Sequence, residues 1–298
     1  LIDASTNDIK FTSNDMELGI ETRVQGMDLE KGIIALYAKI FSEIVRKLPD
    51  SDVTIETDER LNTTITCEKA KFNIPGKSGE DFAYLPLIEK NECIRVSQFT
   101  LKEIIRQTIF SIALNENNKL MTGELFQIED NRLRVISLDG HRISIRRVPL
   151  KEPCEDRKVI VPGKTLNEIS KILSGELEDM VDIYLSANHI LFEFDDTTVV
   201  SRLIEGEYFK IDQMLSSDYE TKVKINKFEF LDCIDRATLL VKEGDKKPII
   251  INIEDGQMEL SIDSQIGSMK EDIDIEKEGK DIMIGFNPKF LIDALKVI

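Results

Sequence analysis

An eleven-residue segment recurs three times in this chain at one fixed spacing, and no other feature limits the fold as strongly. Ala38–Leu48, Gly163–Leu173 and Pro288–Ile298 align without a gap, each starting 125 residues after the one before. The second position is always lysine (Lys39, Lys164, Lys289), the sixth always acidic (Glu43, Glu168, Asp293) and the ninth always basic (Arg46, Lys171, Lys296). Solenoid periods run at about 20–50 residues, so a period of 125 is a whole domain. One fold used three times is the expectation, with domains at 1–92, 93–217 and 218–298.

The repeated segment has helical periodicity. At about 100° per residue, positions seven apart share a face, which groups Lys39 with Arg46, Lys164 with Lys171 and Lys289 with Lys296. Ile40, Phe41, Ile44 and Leu48 fall opposite in the first copy, Leu166, Ile169 and Leu173 in the second, and Phe290, Leu291, Ala294 and Ile298 in the third. Each copy is predicted as an amphipathic helix that buries its apolar side on its own domain and turns its bases outward. Pro49 and the Ser174-Gly175 pair supply stop signals.

Charge gives these helices a meaning. The chain holds 39 Lys+Arg against 56 Asp+Glu, a formal net charge of −17. The three segments reverse that sign: Lys39, Arg46, Lys47, Lys164, Lys171, Lys289 and Lys296 stand against three acids. One lysine–acid pair on an exposed helix is ordinary, contributing about 0.2–0.5 kcal/mol. A basic face that recurs on an acidic protein points instead to a shared electrostatic purpose.

A second recurring block supports the first. Asp130–Asp139 reads as a turn followed by an alternating strand, matched by Asp255–Asp263 and by Thr6–Asp15. More alternation follows the helices, at Val53–Thr57, Ala70–Ile74, Val181–Leu185, Ile190–Phe194 and Thr198–Arg202. Another helix opens the second domain over Thr100–Ala113, adding Lys102 and Arg106 to the bases, and its counterpart opens the third over Lys227–Leu240. The fold class is therefore α+β, with three similar domains of two helices on antiparallel strands. Leu1 is not an initiator methionine and Ile298 sits at the end of a helix, so both outer domains are expected to be clipped.

No apolar run reaches the roughly 20 residues of a membrane span, so no membrane partner is expected. Cys67, Cys93, Cys154 and Cys233 form no CxxC pair, and His141 and His189 are the only histidines. That favours a reducing, cytoplasmic setting and leaves little material for a metal, cofactor or nucleophilic site.

Three short motifs then carry a family. Leu138–Ser144, with its Asp-Gly-His-Arg run, Ser201–Tyr208 and Ile284–Leu291 resemble, in order, signatures of the bacterial DNA polymerase III beta subunit, the sliding clamp. The resemblance covers the whole chain. It implies the DNA clamp fold: three domains per chain and a head-to-tail homodimer closing a six-domain ring, strands outside and helices lining a hole for double-stranded DNA. The repeated helices would then face phosphates, together with Lys102, Arg106 and Lys119. Such contacts are electrostatic and independent of sequence, which suits sliding.

The resemblance also implies a pocket between the middle and last domains that takes short peptides with aliphatic and aromatic anchors. Its partners would be the DNA polymerase III alpha subunit, the clamp loader, other polymerases and repair proteins. Met121, Leu138, Gly140, His141, Arg142 and Ile143 would come from the middle domain, Phe209, Gln213 and Met214 from the interdomain segment, and Asn287 and Phe290 from the third domain. Methionine and leucine walls adapt to varied anchors. Arg142 could serve backbone carbonyls, and Asn287 could donate and accept. The family often has threonine at the position of Leu138 and proline at that of Phe209.

Plainer readings exist for these residues. Asp139–Arg142 can be a tight turn with a capping aspartate, Met121 and Phe290 can be core, and Lys119 can sit in a solvated loop at Asn115–Lys119. A hydrolase built on Asp139 and His141 is a rival function, but it needs a nucleophile or metal partner that the residues do not supply. An acidic scaffold without a DNA role is another; it predicts that charge reversal at the repeated lysines leaves DNA association unchanged.

Overall fold

Asp130 and Asn131 both adopt left-handed backbone, with φ of 50° and 55°. Two consecutive positive-φ residues make the tight hairpin turn whose twist matches its flanking strands, and Asp and Asn tolerate it better than most. The turn joins strands Gly123–Glu129 and Arg132–Leu138 in the register Val135 to Phe126. One period later, Asp255-Gly256 turns with Gly256 at φ +81°, joining Ile249–Glu254 to Gln257–Ser264. The chain thus places a two-residue hairpin turn at the same point of both repeats, although in the second only Gly256 is left-handed.

The structure is a computed structural model that describes residues 1–6, 8–27, 30–91, 93–115, 118–215, 218–241 and 247–298. The expected boundary at Ser217 and positions 116 and 117 of the polar loop lie outside the described residues. The described helices are α1 (Ala38–Val45), α2 (Gln98–Thr108), α3 (Gly163–Ile172), α4 (Lys227–Thr238) and α5 (Pro288–Leu295). Capping follows the sequence. Ser97 Oγ accepts from Thr100 N at 3.1 Å, Asn226 Oδ1 from Phe228 N at 2.9 Å, and Asn287 Oδ1 from Lys289 N at 3.0 Å. The expected helix over Thr100–Ala113 ends sooner, at Thr108, and passes into a 3-10 turn at Ile109–Ser111. Among the described residues no helix is long and apolar enough to cross a membrane.

The chain divides into two compact units, Leu1–Asp139 with Ile145–Gly206, and Gly140–Ser144 with Glu207–Ile298. The first contains an eleven-stranded sheet and a four-stranded one. Its larger sheet is continuous because Leu18–Val24, from the first repeat, pairs antiparallel with Thr197–Arg202, from the second. Val199 lies opposite Ile20 and Val200 opposite Gly19, and the Thr22 and Thr197 hydroxyls meet at 3.0 Å. A side chain at Gly19 would collide with Leu85, whose Cδ2 stands 2.0 Å from where a Cβ would lie. The core lies between the sheets and α2 and α3, centred on Leu101, Ile104, Phe126, Leu166, Ile169 and Phe192.

The second unit contains a four-stranded sheet and the two-stranded ribbon of Thr221–Lys224 with Glu276–Gly279. Cys233, Ile234 and Ala237 of α4 are fully buried on Ile249 and Leu260. Helices α4 and α5 pack together, as α2 and α3 do. No second helix covers α1 among the described residues. Only Ile44 of α1 is buried, Phe41 stacks on Phe11 at 6.0 Å, and Ile40 stays 44 % exposed, contrary to the expectation that it packs inward.

One buried group is out of keeping with this core. Glu124 is fully buried, and neither carboxyl oxygen has a hydrogen-bond partner. The Thr108 hydroxyl beside it gives its proton to Ile104 O at 2.7 Å. Burial pushes the Glu124 carboxyl up to about 8, because an unpaired charge in a dry core is costly and the neutral form is favoured instead.

Candidate functional site

The repeated helices carry their bases where the periodicity puts them. Lys39, Arg46 and Lys47 are exposed on and just beyond α1, Lys164 and Lys171 on α3, and Lys289 and Lys296 on and just beyond α5. Several of the expected bases have carboxylate partners. Lys171 pairs with Glu168 at 2.8 Å, Lys164 with Asp15, and Arg106 with Glu103 through two 2.8 Å bonds. The Asp15 carboxylate holds the Lys164 ammonium above its ordinary pKa. Exposed pairs of this kind contribute about 0–1 kcal/mol, so a phosphate can exchange with the carboxylate. Among the described residues no carboxylate pairs with Lys39, Arg46, Lys47, Lys119 or Lys289.

Lys102 departs from its expected place among the outward bases. It is half-buried, and its Nζ donates at 2.9 Å to the carbonyl of Leu173, at the end of α3. A cation there satisfies an orphan carbonyl and meets the negative end of the helix dipole. Periodicity along α2 could not reveal this, because the acceptor belongs to another helix.

The residues expected to form a peptide pocket divide between the two units. In the first, Leu138 is buried at 3 % exposure and Met121 is half-buried, its carbonyl accepting from Ala113 N at 2.8 Å. In the second, Gly140–Ser144 packs against α5. His141 stacks on Phe290 with ring centroids 5.7 Å apart at 29°. The Arg142 guanidinium carbon lies 4.5 Å from the Phe290 centroid. Arg142 Nη1 also donates to Asp293 Oδ2 at 2.8 Å. Phe209 meets Tyr208 edge-to-face at 5.6 Å, Ile143 is half-buried, and Gln213 and Met214 are exposed.

Two expected roles change with this geometry. Arg142 commits a guanidinium N–H to Asp293 instead of leaving its whole fork for visiting carbonyls. Asn287 spends its side-chain oxygen on the first turn of α5, which leaves the amide as a donor. The Asn287-Pro288 pair is a helix-start signature legible in the sequence; the Asp293 contact, 151 residues away from Arg142, is not. Together the segment offers an exposed histidine, a half-buried aromatic and a stacked guanidinium, a surface suited to apolar anchors and chain carbonyls. Among the described residues no cluster of His, Cys, Asp and Glu could hold a metal.

Comparison with known proteins covers the chain almost end to end. The DNA polymerase III beta subunit N-terminal domain matches residues 1–86, the central domain 95–210 and the C-terminal domain 212–298. The beta sliding clamp of Staphylococcus aureus (strain Mu50 / ATCC 700699) is 36 % identical over 307 residues, which span all of this chain and 81 % of the relative. A crystal structure of a protein from Eubacterium rectale ATCC 33656 is 74 % identical with a TM-score of 0.94. The DNA polymerase sliding clamp from Bacillus subtilis is 35 % identical with a TM-score of 0.92. Both alignments cover all of this chain and 81 % of the other.

Proposed function

This chain belongs to the DNA polymerase III beta subunit family, and we propose that it closes as a head-to-tail homodimer around duplex DNA. Its function is that of a processivity clamp, a non-catalytic subunit of the replicative polymerase. The observation that carries the DNA-facing assignment is the threefold basic face on an acidic chain. Lys39, Arg46, Lys47, Lys164, Lys171, Lys289 and Lys296, with Arg106 and Lys119, meet phosphates. Lys102 instead holds α3 in shape. The domains at 1–92, 93–217 and 218–298 are part of this proposal, as is a cytoplasmic location.

Sheet edges suggest how the ring closes. The pairing of Leu18–Val24 with Thr197–Arg202 joins the first two repeats. Two periods on in the chain, Gly267–Asp274 is the counterpart of Leu18–Val24 and lies at the edge of its sheet. One period back, Ala70–Ser78 is the counterpart of Thr197–Arg202 and pairs with Ile33–Leu36 only through Gly76–Ser78. Lys71, on the part of one strand that Ile33–Leu36 leaves unpaired, complements Asp272 and Asp274 on the other. We assign the dimer contact to these two strands, one from each copy.

The face around His141, Arg142 and Phe290 docks the polymerase alpha subunit, the clamp loader and repair proteins through short peptides with aliphatic and aromatic anchors. Lys39→Glu, Lys164→Glu and Lys289→Glu together test the DNA-facing assignment. Loading onto DNA should fall and its salt dependence should flatten. Unchanged DNA association would favour an acidic scaffold instead.

A further inference from the structure

Glu43, Glu168 and Asp293 fill the same column of the three repeats, yet they are used differently. Glu168 turns along its own helix to Lys171 at 2.8 Å. Asp293 reaches off α5 to Arg142, on the segment Gly140–Ser144 that packs there. The pair is largely withdrawn from water, with side chains 15 % and 24 % exposed. Asp293 sits three residues after Phe290, so the two share a helix face. The same guanidinium that binds Asp293 therefore also lies 4.5 Å from the Phe290 ring centroid. Arginine is planar and forked, and an ion pair combined with ring stacking fixes both its position and its tilt. The segment begins at Gly140, a left-handed residue with φ of +88°.

We propose that Asp293 is a positioning residue of the docking face: through Arg142 it fastens Gly140–Ser144 to α5 and fixes the Phe290 ring for a partner's apolar anchor. This rests on the docking role given above. Asp293 itself touches no peptide; it sets the geometry of the groups that do. The acid kept at this column in the third repeat thereby serves the docking face rather than a helix-surface pair.

The test uses the full chain and a fluorescein-labelled peptide carrying adjacent leucine and phenylalanine anchors. Binding is measured for the wild type, Asp293→Asn, Asp293→Glu, Arg142→Gln and Phe290→Ala, alongside hydrogen exchange of residues 140–144. Asp293→Asn and Arg142→Gln should each weaken the peptide about tenfold, equivalent to about 1.4 kcal/mol, and speed exchange in the segment. Asp293→Glu, which keeps the charge, should restore part of both. Unchanged exchange and affinity in Asp293→Asn would overturn the positioning role. If Phe290→Ala binds the peptide as the wild type does, the docking role of this face falls instead, and exchange alone still decides whether Asp293 holds the segment.

Discussion

Lys102 Nζ and the carbonyl of Leu173, 71 residues apart, are joined by a 2.9 Å hydrogen bond that ties α2 to the end of α3. A lysine that counts among the outward bases by its position on α2 is thereby a structural cap. Lys102→Met keeps the aliphatic stem and removes the cation, so it should lower stability by about 0.5–1 kcal/mol. The salt dependence of DNA binding should stay as in the wild type. Denaturant titration and a salt series of DNA retention check the two halves.

The exposed bases of the repeated helices should behave in the opposite way. Removing one base that neutralises a phosphate flattens the dependence of log affinity on log salt by about 1. Lys39→Gln and Lys289→Gln should each do this with stability nearly unchanged, because no described carboxylate pairs with either lysine. Lys164→Gln should do it with a small added loss of stability, since Lys164 also holds Asp15.

Glu124 predicts an unusual pH dependence. Its carboxyl titrates at about 8 when buried, against an ordinary value of 4.5. Between those values the folded state keeps a proton that the unfolded chain has released. Stability therefore falls as pH rises through this window, at about 1.4 kcal/mol per unit for this one group. The contribution is complete below 4.5 and gone above about 8. Glu124→Gln should remove that slope and leave the protein more stable than the wild type at pH 9, measured by urea unfolding across pH.

The strand pairing assigned to the dimer can be probed through charge. Asp272 and Asp274 are exposed on the edge strand Gly267–Asp274. Asp272→Lys with Asp274→Lys sets like charges against Lys71 of the partner copy, so the dimer should weaken severalfold in sedimentation at low salt. Adding Lys71→Glu should recover part of the association.

Much of this architecture is legible in the sequence because its signals are local. The helical columns from Lys39 to Arg46, the Asp130-Asn131 turn and the Asn287-Pro288 helix start each depend on neighbours a few residues away. What stays hidden is pairing between distant segments. Alternation marks Leu18–Val24 and Thr197–Arg202 as strands, but it does not say that they meet and fuse two repeats into one sheet. The same applies to the candidate site. His141, Arg142 and Phe290 stand out in short motifs, whereas the Arg142–Asp293 and Lys102–Leu173 contacts join elements that no periodicity links. Ile40 shows the reverse error: its place on the helix is as expected, but burial depends on a neighbour that the described residues do not provide.

The central claim is topological, so the decisive measurement is retention on DNA circles. The protein is loaded by a clamp loader onto nicked circular DNA, and the bound fraction is followed before and after the circle is cut once. A closed sliding ring predicts stable retention on the circle and rapid loss through the free ends after cutting. Equal retention on both forms would mean ordinary surface binding and would contradict the ring.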